Sequence, residues 1–137
     1  MQPLLWDTCA VIWIYEQARL AQSALDAMSA AHRDGIPSYV SAITAWEIGL
    51  LAARRRLQLV IKPERWFAKL FEVPGVQLAG LSPDLLIASS YLPGRPPKDP
   101  TDRILAATAR ELGAALMTRD RALLDYGAQG HIAVLEC

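Results

Sequence analysis

The apolar positions of this chain fall in short blocks set off by polar punctuation, and their period changes from block to block. Pro3 to Trp6 is an apolar run that stops at Asp7, and Ala10 to Tyr15 is apolar on every side, which predicts a buried strand feeding a buried helix. Leu20, Ala21, Ala24, Leu25 and Met28 recur at three- and four-residue spacing until Asp34-Gly35 breaks the pattern, so a second helix ends there. Ile36 to Val40 reads as a strand, with Ser41 as the N-cap of a helix through Arg54. Val76 to Leu81 alternates as strands do. Ser82-Pro83-Asp84 then supplies a cap, a first-turn proline and an acid for a helix through Tyr91. Pro93-Gly94-Arg95-Pro96-Pro97 must be an exposed loop, before Asp99-Pro100-Thr101-Asp102 opens a helix that Gly113 closes. Ala114 to Thr118, Arg121 to Tyr126 and Ile132 to Leu135 complete the chain as strand, helix and strand.

Strands alternating with helices predict an α/β fold with a parallel sheet covered on both faces. Ligands bind such sheets beyond the carboxyl ends of the strands, near the switch point of strand order. At 137 residues, with no internal repeat, residues 1–137 form a single domain able to bury its own core. Fourteen basic residues balance fourteen acidic ones, so no global positive field attracts nucleic acid and any polyanion must be held locally. Cys9 and Cys137 make neither a disulfide framework nor a zinc site, which fits a reducing cytoplasm. Asp7 interrupts the apolar start, and no run reaches the roughly 18 residues that span a bilayer, so neither signal peptide nor membrane anchor is expected.

The chemistry lies in the acids. Asp7 ends the first strand and Asp120 follows the strand that ends in Thr118, which sets both at the carboxyl edge, where each can also cap the next helix. Glu47 falls within a helical apolar stripe of Ile43, Trp46, Leu50 and Leu51, where a buried carboxylate needs a cation, an arginine or a proton. Asp99 suits the cap of its helix, while Asp102 shares a face with Leu105, Ala106 and Ala109 and leans inward as the better metal ligand. Two carboxylates ~4 Å apart near a protein surface repel by about 4 kcal/mol, so a cluster of four requires cations. An all-oxygen set without a His/Cys constellation favours magnesium or manganese over zinc. His32 and His131 stand alone and read as surface or satisfied polar groups, and Trp13 and Tyr15 read as core.

At this point the sequence resembles the PIN-domain nucleases, and among them the VapC-type toxins of toxin–antitoxin modules. The resemblance runs through Leu4-Leu5-Trp6-Asp7-Thr8, Ser41 to Trp46-Glu47-Ile48, Asp99 to Ala109 and Thr118-Arg119-Asp120, nearly the whole chain. It implies a three-layer α/β/α domain with a central parallel sheet of about five strands. It further implies an RNA substrate and Mg2+ or Mn2+ held by Asp7, Glu47, Asp102 and Asp120, with Asp99 and Thr118 in support. A homodimer and a cognate antitoxin that blocks the site through a C-terminal segment are implied as well. The loop before Asp99 departs from the pattern, since a histidine is common there and this chain has Pro97.

The expected reaction is hydrolysis of an RNA phosphodiester by in-line attack of water, with the cations lowering the water's pKa and stabilising charge on the nonbridging oxygens. Arg54, Arg55, Arg56, Arg95, Lys98, Arg103, Arg119 and Arg121 are candidates to hold flanking phosphates. A receiver-type phosphoryl-transfer domain would need a lysine after the last strands, and none follows Lys98. A noncatalytic module that docks on RNA or protein is the other alternative.

Overall fold

A computed structural model of the chain describes residues 2–137. Strand β1 (Leu4–Trp6) runs into α1 (Thr8–Tyr15) and α2 (Gln22–Arg33), followed by β2 (Ser38–Ser41) and α3 (Ala42–Ala53). Next come α4 (Pro63–Lys69), a 3-10 turn at Leu70–Glu72, β3 (Val76–Ala79) and α5 (Pro83–Ala88). Helix α6 (Pro100–Leu112), β4 (Ala115–Thr118), α7 (Arg121–Ala128) and β5 (Ala133–Glu136) complete the order. All five strands are parallel, in the order β3-β2-β1-β4-β5. In register, Leu4 lies between Ser38 and Ala115, so β1 is central and the strand order reverses between it and β4.

The pleat sends alternate residues of β1 to opposite faces. Leu4 and Trp6 join Val11, Val40, Ile48, Trp66 and Met117 in one core. Leu5 joins Leu105, Leu116, Leu123 and Tyr126 in the other. These two cores separate the three layers of an α/β/α sandwich. Trp6 Nε1 is the one buried side-chain donor among the described residues without a partner.

Helix termini follow the local chemistry. Ser41 Oγ accepts from Ile43 N–H at 3.1 Å, and Ser82 Oγ accepts from Leu85 N–H at 3.1 Å. Gly113 ends α6 at φ +61°, a left-handed backbone that costs glycine little. Helix α4 and its 3-10 turn had no counterpart among the expected elements, although Lys62-Pro63-Glu64 carries a proline and an acid in the first turn. Strand β2 begins at Ser38 instead of Ile36, and α5 stops at Ala88 instead of Tyr91. Among the described residues no helix is long and apolar enough to cross a membrane.

Tyr15 is 39% exposed and lies against Trp66 with ring centroids 4.5 Å apart, and Trp13 is only partly buried, so this end of α1 is less enclosed than its sequence implied. The proline loop is tied down at its first turn. Gln129 binds the Arg95 backbone twice, accepting from its N–H at 2.9 Å and donating to its carbonyl at 3.0 Å. Tyr126 donates to Pro93 O at 2.7 Å, and Gly94, at φ +70°, leaves no room for a Cβ beside His131 and Gln129.

Candidate metal and active site

The crevice between β1 and β4 gathers the first two acids. Asp7, 5% exposed, caps α1: its Oδ1 accepts from Ala10 N–H at 2.7 Å. Its Oδ2 accepts from the Thr118 hydroxyl at 2.5 Å. Thr118 is fully buried at the end of β4, and its Oγ1 also accepts from Asp120 N–H at 3.0 Å. One hydroxyl therefore bridges acids 113 positions apart in sequence, whose strands are hydrogen-bonded neighbours (120 − 7). Asp120 caps α7 through Oδ2, which accepts from Leu123 N–H at 3.0 Å, while its side chain stays exposed. Both acids thus fill the capping role that their positions allowed, and each keeps further lone pairs.

Helices α3 and α6 bring the others. Glu47 is half-buried, with Oε1 receiving the Thr8 hydroxyl at 2.5 Å and Oε2 lying 3.5 Å from Thr101 Oγ1. The apolar stripe that carries Glu47 is only partly buried. The buried residues of α3 are Thr44 and Ile48, whereas Trp46 is 58% exposed. Ile43 packs on the second core, and together with Trp46, Leu50 and Leu51 it also lines an open groove of about 650 Å³ shared with Pro100 and Ile104, which Glu47 and Asp99 border. Helical spacing established a common face, which α6 borders but leaves open at Trp46. Asp99 caps α6, accepting from Thr101 N–H at 2.8 Å, from the Thr101 hydroxyl at 2.5 Å and from Asp102 N–H at 3.2 Å.

Asp102 is the exception. Its neighbours Leu105, Ala106 and Ala109 are buried, as its helix face predicted, yet no donor among the described residues is hydrogen-bonded to its half-buried carboxylate. Burial pushes its pKa up to about 7, and the charges of Asp120, Asp99, Glu47 and Asp7 push the same way. Burial also raises Asp7 and Glu47, against the opposing hydrogen bonds from Thr118 and Thr8. The Thr101 hydroxyl holds Asp99 below the usual carboxylate range. Cys9 stands exposed beside the acids, its thiol raised to about 11 by burial of the sulfur and by the surrounding carboxylates.

Among the described residues no cation forms an ion pair with these acids, although the charge of Arg119 draws the pKa of Asp7 down. Among the described residues the one ion pair joins Arg33 to Asp34, so Glu47 is not half of a structural salt bridge. Arg119, a candidate phosphate ligand, is committed elsewhere: its guanidinium lies 3.8 Å from the Trp13 ring centroid and donates to Arg19 O at 3.1 Å and Cys137 O at 2.8 Å. Arg103, Arg121 and Lys98 stay close to the acids in sequence, and Arg121 and Lys98 are exposed. Among the described residues no three His, Cys, Asp or Glu side chains are grouped tightly enough to chelate one ion by themselves. The donor set fits a hard divalent ion that keeps several waters and takes only one or two carboxylates directly.

A parallel sheet with this strand order and acids at its switch point defines a class of protein, and comparison with known proteins identifies it. Residues 4–129 match the PIN domain, and the chain belongs to that family. Ribonuclease VapC22 of Mycobacterium tuberculosis is 37% identical over 123 residues, with 90% of each chain covered. In fold, the chain resembles one of VapBC2 from Rickettsia felis, solved with a promoter DNA fragment (TM-score 0.66, 13% identity, 98% of both chains). It also resembles a chain of a toxin–antitoxin complex from Klebsiella pneumoniae (TM-score 0.60, 21% identity, 96% of this chain and 95% of that one).

Proposed function

We propose that this PIN domain is a divalent-metal-dependent endoribonuclease that acts in the cytoplasm as the toxin of a toxin–antitoxin pair. The observation that carries this reading is the acid edge itself: Asp7, Glu47, Asp102 and Asp120 act on one another electrostatically at the switch point, and none of them forms an ion pair with a cation among the described residues. Asp7, Glu47, Asp102 and Asp120 would hold Mg2+ or Mn2+ directly or through water. When bound, the ion would lower the pKa of water and stabilise negative charge on the phosphate oxygens.

The chain's own groups divide the remaining work. Glu47 Oε2 receives only the long, 3.5 Å hydrogen bond of Thr101 and keeps lone pairs that would accept a hydrogen bond from the attacking water. Asp99 and Thr101 fix the first turn of α6, and thereby Asp102. Thr118 fixes Asp7 relative to Asp120. Exposed Arg121 and Lys98 hold flanking phosphates of the RNA, offsetting the absence of net positive charge. The 37%-identical relative is a ribonuclease, which supports the substrate class.

An antitoxin segment fits the groove beside Glu47, where apolar walls of Trp46, Leu50 and Ile104 meet acids suited to a basic side chain. A homodimer would cover the outward residues Leu86, Ile87 and Tyr91, which lie 41%, 60% and 82% exposed. The decisive experiment compares purified wild type with Asp7→Asn in RNA cleavage with magnesium and with chelator. Magnesium-dependent cleavage by the wild type alone is expected. Cleavage that survives the chelator, or that Asp7→Asn retains in full, overturns the assignment.

A further inference from the structure

The site acids are held by hydroxyls: Thr118 binds Asp7, Thr101 binds Asp99, and Thr8 binds Glu47. Thr8 has a second hydroxyl directly behind it. Thr8 Oγ1 lies 2.5 Å from Glu47 Oε1 and 3.1 Å from Thr44 Oγ1. A hydroxyl carries one proton, and an ionised carboxylate can only accept. The Thr8 proton therefore goes to Glu47, which leaves Thr8 as acceptor and Thr44 as donor. From these contacts we propose that Thr44 is a positioning residue for Glu47, acting through the Thr8 hydroxyl.

The placement of Thr44 explains why its hydroxyl faces outward from its own helix. Thr108, deep in α6, bonds back to Ile104 O at 2.7 Å, the usual recourse of a buried helical threonine. Thr44 sits in the first turn of α3, where no helical carbonyl lies a full turn behind it, and it reaches across to α1 instead. Thr44 is fully buried and Thr8 is 4% exposed, so water does not compete for either bond. Thr44 and Glu47 are three residues apart on one side of α3, and Thr8 follows Asp7 directly in the chain. The relay thus fixes the helix carrying Glu47 against the helix that Asp7 caps, and so sets the separation of two acids from different elements. Without Thr44, the buried Thr8 lone pair loses its donor and the Thr8 hydroxyl loses its fixed direction.

This inference rests on the ribonuclease reading for its kinetic consequence but not for its binding consequence. Thr44→Val keeps the shape of the side chain and removes the donor, and Thr44→Ser keeps the donor. Calorimetric titration of the purified full chain with Mn2+ is expected to show about tenfold weaker binding for Thr44→Val, the scale on which outer-shell partners act, and near-normal binding for Thr44→Ser. In RNA cleavage, Thr44→Val should lower kcat with KM unchanged, and serine should rescue it. If Thr44→Val does not fold, Thr44→Ala serves in the same comparison with serine. Wild-type Mn2+ affinity and kcat in the donor-less variant overturn the relay, as does equal loss in the serine variant. A wild type that binds Mn2+ but cleaves no RNA defeats the ribonuclease reading alone, and the titration still judges Thr44.

Discussion

Exchanging Asp102 for asparagine should stabilise the metal-free protein at pH 8. Asparagine keeps the size of the side chain and removes a charge that burial and four neighbouring carboxylates oppose. The pKa of Asp102 is pushed up to about 7 from an ordinary 3.8. At 1.36 kcal/mol per unit, a shift of about three units sets a ceiling of roughly 4 kcal/mol. Asp102 is only half-buried, and solvent screening reduces this to about 1–2 kcal/mol. The sign follows from proton linkage: the folded pKa lies above the unfolded one, so between about pH 4 and pH 7 the folded state keeps a proton that the unfolded state has released. Metal-free wild type therefore loses stability as pH rises through that window and bears the whole cost above it.

Thermal melts in chelator are the assay. A domain of this size gains roughly 2–4 °C per kcal/mol, so Asp102→Asn should melt about 2–8 °C above wild type at pH 8. The gap should narrow at pH 5, where the wild-type carboxyl is protonated. Magnesium should then raise the wild type more than the variant, because it binds the folded state alone. An unchanged melting temperature at pH 8 in chelator, or the same advantage at pH 5, refutes the account of a carboxylate strained by its neighbours.

Other changes probe separate parts of the structure. Asp120→Ala removes the α7 cap and should cost about 1 kcal/mol in urea unfolding, in addition to abolishing cleavage. Arg119→Met should lose about 1–2 kcal/mol of stability through its Trp13 and backbone contacts, yet leave the salt dependence of RNA binding unchanged. Arg121→Ala should instead lessen the slope of log affinity against log salt by about 0.7, the contribution of one phosphate on a single strand. Gly94→Ala forces a left-handed alanine against His131 and Gln129 and should destabilise by about 1–3 kcal/mol, read from the urea midpoint.

Elements with strong punctuation were legible before folding was considered. Asp99, Pro100 and Gly113 bound α6 where expected, and Ser41 and Ser82 cap α3 and α5, because these signals act within one turn. The edge positions of Asp7 and Asp120 were equally plain, since each acid follows an apolar strand. Helix α4 was missed because its start signal stands beside a short mixed segment without a long apolar period. The stripe on α3 was recognised, but the exposure of Trp46 within it was not, since periodicity reports which residues share a face and not what covers it. The links from Thr8 to Thr44 and from Gln129 to Arg95 join residues more than thirty positions apart, and no local pattern announces such partners. Arg119 stood among eight plausible cations, and only its packing on Trp13 sets it apart.

The central position of β1 carries a consequence for timing. Its two sheet neighbours come from opposite halves of the chain, and the second brings Asp120 to Asp7 only after β4 has docked. A polypeptide interrupted before that point possesses Asp7 and Glu47 yet lacks the opposing wall of the crevice and the hydroxyl that bridges it. On the proposed ribonuclease reading, fragments of an interrupted synthesis would lack a complete acid edge, and the capacity to cut RNA would arrive in one late step of assembly.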